Sequence, residues 1–269
     1  MLNFLYNNFF GRILLKIIYR PAISRICGKI MDSRLSLALI PAFIKKHHID
    51  LSEYITTDYK NFNDFFTRKV KPELRKYDED ENNFCAPCDG MLSIYSVHDD
   101  LVLPVKQSHY SVSDLLLNDT LASDFSNGLC LTFRLGVNNY HRYSYFDSGK
   151  KGENIFIPGV LHTVRPVALN KFPVFVRNSR EYTVMDTVHF GKCVQIEVGA
   201  LMVGKIVNEH GCGDFTRGAE KGHFEYGGST IIVLLKNNCI DLKDKFKEII
   251  DSCEEIPIRM GDVIGKNVT

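Results

Sequence analysis

Apolar and basic positions recur at helical spacing from the first residues of the chain. Leu5, Phe9, Phe10, Ile13, Leu14, Ile17 and Ile18 follow a 3.6-residue period, with Arg12, Lys16 and Arg20 four apart on another face. That pattern predicts an amphipathic helix, broken at Pro21, which has no N–H to continue the ladder. Two more apolar and basic stretches follow, Ile23 to Ile30 and Leu35 to Ile44, the second closing on Lys45 and Lys46. Residues 50–72 also read as helical. The acidic run Tyr77-Asp78-Glu79-Asp80-Glu81-Asn82-Asn83 then marks a boundary. Beyond Phe84 the period shortens, and runs rich in Val, Ile, Leu, Phe and Tyr are punctuated by Gly, Pro, Asn and Asp. Strands are predicted at Met91–Val97, Leu129–Leu135, Asn154–Pro158, Tyr182–Phe190, Cys193–Val198 and Thr230–Leu235, and helices at Val112–Leu117 and Leu242–Ile250. The expectation is an α+β chain, with a helical region at 1–75 followed by a β-rich body at 84–269.

Composition narrows the function. With 269 residues, 45% of them hydrophobic, the chain can bury one sizeable core, and disorder, collagen and coiled coil are excluded. A net charge of +1 argues against a nucleic-acid partner bound by bulk charge. The charge is unevenly placed. Residues 1–46 hold eight basic side chains against Asp32, a net of +7, which leaves −6 on the rest of a chain that totals +1. Greasy, basic helices of this kind either cover the body or lie in a lipid headgroup layer, and the charge favours the second. No run of 18 uncharged apolar residues exists to span a bilayer. Arg12 and Lys16 interrupt what would be the core of a secretory signal. Most of the eight cysteines sit in apolar contexts, as buried thiols do in a reducing compartment. Cys85-Ala86-Pro87-Cys88 is a lone pair without the second pair that a zinc site needs, so no metal is expected.

Candidate chemistry lies in Arg217-Gly218-Ala219-Glu220-Lys221-Gly222-His223-Phe224-Glu225-Tyr226-Gly227-Gly228-Ser229-Thr230, which leads into the apolar run Ile231–Leu235. It contains no G-x-S-x-G elbow and no phosphate-binding glycine loop. A serine behind two glycines can still react with its own backbone. An N→O acyl shift at Gly228-Ser229, β-elimination and hydrolysis would cut the chain and leave a pyruvoyl group. Its carbonyl condenses with amines and accepts electrons as carbon dioxide leaves.

The chain resembles the phosphatidylserine decarboxylase family along most of its length. Phe65-Phe66-Thr67-Arg68-Lys69-Val70-Lys71-Pro72 is similar to the family's FFxRxLKP, and Ala86-Pro87-Cys88-Asp89-Gly90 to its APxDG. Tyr140-His141-Arg142 matches YHR, and Asn178-Ser179-Arg180 stands where the family has Asn-Glu-Arg. Val198 through Ile206 matches VGAxxVGxI, and Arg217 through Thr230 matches [KR]GxExGxFxxGGST. Six blocks in the same order make the resemblance specific.

The resemblance implies a catalytic body of barrel or sandwich type. It implies cleavage between Gly228 and Ser229 into a β chain, 1–228, and an α chain, 229–269. Ser229 would become the covalent pyruvoyl cofactor. Asp89 would support a histidine base, for which His141 is the candidate. The family's second histidine is absent, because Ser144 stands in its place. His162 is the candidate substitute, although a strand histidine with a packing role is the plainer reading. Asn178 and Arg180 could position polar groups or form a turn. The implied substrate is phosphatidylserine in an anionic membrane, on the cytoplasmic face of a bacterial cell, and a homodimer is left open. Two alternatives stand beside this reading: a pyruvoyl decarboxylase of a soluble amino acid, and a non-catalytic lipid-surface protein on the same scaffold.

Overall fold

Asn8 divides the first predicted helix. Its side-chain oxygen accepts from the Phe10 and Gly11 N–H groups, and this cap starts a new helix, Phe9–Ile18, behind Leu2–Asn7. The computed structural model describes residues 2–55, 58–98, 103–105, 108–169, 171–201, 205–227 and 229–268. Gly228 of the expected cleavage site, and Met202, Val203 and Gly204 of the glycine-containing block, lie outside these. Helices Pro21–Met31 and Ile40–His47 complete the N-terminal layer, with a 3-10 turn at Arg34–Leu39 between them.

Residues 50–72 are not one helix. Ile55 donates to the Lys69 carbonyl, Lys71 to that of Glu53, and Tyr54 bridges Val70, so the segment folds back on itself. Among its described residues only Phe62–Phe66 is α-helical. Its apolar residues fill a local core of Ile40, Tyr54, Phe62, Phe65, Phe66, Val70, Tyr140 and Met260 rather than a helix stripe.

The body is built on an eight-stranded antiparallel sheet. Its order is Gly213–Phe215, Gly149–Ile157, Arg180–Thr187, Gly191–Val198, Ser229–Leu235, Leu129–Leu135, Gly90–Ser96 and Ile256–Ile258. The α+β class is as expected. The sheet stays open, however: its edge strands Gly213–Phe215 and Ile256–Ile258 do not pair with each other, so it is not a closed barrel. Two three-stranded sheets accompany it. One joins Asn83–Cys85, Val263–Asn267 and Ile240–Leu242, and the other Ile206–Asn208, Glu220–Phe224 and Arg142–Ser144. The helices foreseen at Val112–Leu117 and Leu242–Ile250 form as Val112–Leu116 and as the single turn Asp244–Lys247.

All seven residues of Ser229–Leu235 are buried, as a strand covered on both faces must be. Leu5, Tyr6 and Leu15 of the N-terminal helices enter the same core. The other side of those helices has no cover. Phe9, Phe10, Ile13, Ile17, Ile26 and Ile30 are each at least half exposed, beside the exposed Arg12, Lys16, Arg25 and Lys29. Among the described residues no helix is long and apolar enough to cross a membrane.

Candidate active site

Ser229 opens the central strand. It pairs with Leu135, and on the next rung Thr230 pairs with Arg134 on one side and Val198 on the other. Its hydroxyl is buried and has no hydrogen-bond partner among the described residues. A buried orphan of this kind costs about 1–3 kcal/mol and calls for a reason beyond packing.

The strand Glu220–Phe224, just upstream, is held in fixed register. Gly222 lies so close to its neighbours that a Cβ there would stand 2.1 Å from the Val207 carbonyl oxygen. Gly227 has φ +139°, a conformation open mainly to glycine. Strand Arg142–Ser144 pairs with this segment, and Phe224 N–H donates to the His141 carbonyl at 2.9 Å. Local sheet pairing therefore delivers His141 beside the chain that leads into Ser229.

His141 is fully buried, with its ring 4.1 Å from that of Phe66. Its Nδ1 lies 2.8 Å from the Asn139 carbonyl, an acceptor, so Nδ1 carries the proton. The lone pair is then on Nε2, which has no partner among the described residues. Burial pushes the ring down to about 3, helped by the Arg68 guanidinium, while the Asn139 and Gly227 backbone groups oppose the shift. The ring is uncharged at neutral pH, and the Gly227 backbone favours its protonated form. Arg68 is buried as well, donating to the Phe65 carbonyl and the Tyr54 hydroxyl, both at 3.1 Å.

Asp89 immediately precedes strand Gly90–Ser96, at the same end of three neighbouring strands as Ser229. It does not hydrogen-bond His141. Arg75 binds both its oxygens at 2.8 Å, and Met260 N–H donates to it at 2.9 Å. Asp89 and Asn139 line the same 690 Å³ cavity. Ser144 is buried, with its Oγ 2.7 Å from the Tyr77 hydroxyl and 3.4 Å from the Pro87 carbonyl.

His162 is buried elsewhere, stacked on Phe172 at 4.7 Å. The Tyr6 hydroxyl accepts from Thr163 N–H and shares a hydrogen bond with His162 Nδ1, both at 3.1 Å, and His162 Nε2 has no partner among the described residues. The rings of Tyr6, Tyr19 and Phe172 pack around it. Asn178 bridges the His162 backbone and the Gly199 carbonyl, and Arg180 donates only to backbone carbonyls, including those of Leu115 and Asp114. Both act as internal clamps.

The family model for phosphatidylserine decarboxylase matches residues 62–266, a span that holds Asp89, His141 and Ser229. The chain is 41% identical to phosphatidylserine decarboxylase proenzyme 2 of Clostridium acetobutylicum, over 98% of its own length and 91% of that protein's. It is 38% identical to the phosphatidylserine decarboxylase proenzyme of Ruminiclostridium cellulolyticum, over 98% and 90%. The proenzyme of Clostridium tetani is 34% identical, over 99% and 91%. The chain belongs to the phosphatidylserine decarboxylase family. It is an enzyme, a decarboxylase.

Several residues of this decarboxylase's site carry no sequence signal. Arg75 lies outside every motif, yet it holds Asp89 and also reaches Glu53 at 3.2 Å. Asn139, which fixes the His141 tautomer, acts through its backbone, where side-chain identity is silent. Lys221 falls inside the glycine-rich block and forms a fully buried pair with Glu197 at 2.8 Å, with Asn208 at the same distance. Cys85 and Cys88 are buried thiols whose acidity burial suppresses. The group whose ligand atoms come together among the described residues is instead Glu209, Glu220 and His223, and the Arg142 guanidinium already sits on Glu220.

Proposed function

We propose that the chain cuts itself between Gly228 and Ser229, converts Ser229 to a pyruvoyl group, and decarboxylates phosphatidylserine to phosphatidylethanolamine at a membrane surface. One observation carries this reading. A buried serine hydroxyl without a partner opens the central strand, and the segment leading into it is paired to an uncharged histidine with a free Nε2.

In self-cleavage, Ser229 Oγ attacks the preceding carbonyl and gives its proton to His141 Nε2. The imidazolium rests on the Gly227 carbonyl and, having low proton affinity, returns the proton to the leaving amide nitrogen. The Ser229 Cα proton and the Gly228 carboxylate then leave together as the acid by β-elimination, and water converts the resulting enamine to the ketone with release of ammonia. The unsatisfied hydroxyl and the close-packed strands around it fit a residue that is to become this group. Once formed, the pyruvoyl group supplies a carbonyl for the substrate amine and an electron sink for the bond to carbon dioxide. Phe66 covers His141 and keeps water from the ring. Asp89 acts as a positioning residue: it fixes Arg75 and the Met260 backbone, and with them the cavity wall that includes Asn139. His141 serves in the proton transfer because it is paired to the segment leading into Ser229, whereas His162 packs among Tyr6, Tyr19 and Phe172.

The exposed apolar and basic side of helices 9–18 and 21–31 would lie in the headgroup layer. Eight free thiols agree with the reducing, cytoplasmic side of a bacterial membrane.

The intact mass of the purified chain tests the processing. A fragment 229–269 lighter than its sequence by one ammonia is expected. A lone 30.7 kDa species would remove the cofactor and with it the proposal. Vesicle sedimentation tests the membrane face. Replacing Phe9, Phe10, Ile13 and Ile17 together by Ser should weaken binding to anionic vesicles about a thousandfold, at about 1 kcal/mol per half-buried side chain. Equal binding would rule out docking through this face.

A further inference from the structure

Two cavities meet at Arg134 and Gly136, and their charges differ. The 690 Å³ cavity beside Asp89 carries Arg75, Arg134 and Arg259, but also Asp50, Glu53, Asp89 and Asp262. There Arg75 is neutralised by Asp89 and Glu53, and Arg259 lies 3.5 Å from Glu53. The 620 Å³ cavity carries Lys46, His47, Arg134 and Arg165, and no Asp or Glu among its described lining residues. Arg134 is held by Glu255 at 2.5 Å. Lys46 and Arg165 take part in no ion pair among the described residues. Their charges bear on His47, whose ring is pushed down first by burial and then by Lys46 and Arg165. Both side chains are exposed, and an anion entering the cavity meets their charges with no carboxylate among its described lining residues to oppose them.

The lining of this cavity names the anion. It includes Leu135, the strand partner of Ser229, with Gly136, and Tyr226 and Gly227 just upstream of Ser229. It also includes Leu2 and Phe43, from helices Leu2–Asn7 and Ile40–His47 of the N-terminal layer. A lipid head group reaching residue 229 past that layer would bring its anionic group into this cavity.

We infer that Lys46 and Arg165 form the subsite for the phosphodiester of the lipid head group, setting its register so that the serine amine reaches residue 229. This rests on the function proposed above and adds what recognises the phosphate. Arginine suits the task because its planar fork can meet two phosphate oxygens. The phosphate is remote from the bonds that change, so the subsite binds ground state and transition state alike. Its loss should therefore raise KM with little change in kcat.

Two measurements on the full chain decide it. In the uncut Ser229→Ala chain, calorimetry with glycerophosphoserine reads the subsite without any turnover. Adding Arg165→Gln or Lys46→Gln should weaken binding about ten- to a hundredfold each, and Arg165→Lys should restore part of it. Unchanged affinity in both would overturn the inference. In the processed chain, dihexanoyl phosphatidylserine below its micelle concentration removes membrane attraction from the assay. KM should rise by a similar factor while kcat holds, and inorganic phosphate should compete in the wild type but not in the variants. Competition by inorganic phosphate without glycerophosphoserine binding would mark a free-phosphate site and sink the head-group assignment. A processed wild type that binds glycerophosphoserine through Arg165 but turns over no phosphatidylserine would refute the proposed function and leave the subsite standing.

Discussion

The pockets of His141 and His162 are alike in bulk and differ in what meets the ring at Nδ1. Both rings are buried, both lie against a phenylalanine, and burial holds both uncharged, pushed down to about 3 and about 4. The difference is one hydrogen bond at Nδ1. In His141 a carbonyl accepts there, so the ring donates and keeps its Nε2 lone pair free. In His162 a tyrosine hydroxyl stands there, a group that can donate or accept and so fixes no tautomer, and three aromatic rings pack around the imidazole. Burial and a depressed pKa therefore do not identify a base. The partner that sets the tautomer does.

The largest test removes the free lone pair. His141→Gln keeps a polar side chain but no base, and self-cleavage should slow by about 10²–10⁴-fold, leaving one uncut mass while circular dichroism shows an intact sheet. Cleavage at the wild-type rate would move the proton transfer to another group. Next comes acid, which should not tell the two rings apart. Both folded-state values lie below the unfolded value of about 6.5, so the unfolded chain binds more protons. Their contribution to stability is complete above pH 6.5 and is lost as the pH falls toward 4, on the order of 2–3 kcal/mol per ring. Denaturant midpoints across that range check it, and a flat profile from pH 7 to 4.5 would contradict the burial argument. The smallest effects belong to the anchor. His162→Gln and Tyr6→Phe should each cost about 1–2 kcal/mol, read as a lower Tm, with self-cleavage intact. A loss of cleavage in His162→Gln in a folded chain would erase the contrast between the pockets.

Much of the architecture was legible because local patterns enforce it. The strands at Leu129–Leu135 and Ser229–Leu235 form at or within one residue of where they are expected, and in the second the continuous run Ile231-Ile232-Val233-Leu234-Leu235 demands cover on both faces. Residues 50–72 misled because the Phe62, Phe65 and Phe66 spacing fits a helix, while the backbone bonds of Glu53, Ile55, Lys69 and Lys71 close a loop. Barrel closure was not legible at all, because edge pairing is a long-range property. In the site, Ser229 and His141 stood out through their motifs. Arg75, Lys46 and Arg165 did not, since each meets groups remote in sequence, and Asn139 did not, since it acts through its backbone carbonyl.

By itself the sequence determined the elements, the basic apolar front end and the Gly-Ser pair within a family pattern, because these depend on residue type and short spacing. The tertiary structure decided which histidine has its tautomer fixed by a carbonyl, what Asp89 holds, and which cations share a cavity lining without a carboxylate. Those outcomes depend on which groups the folded chain brings within a few ångströms, where one hydrogen bond or one missing counter-charge outweighs any local preference.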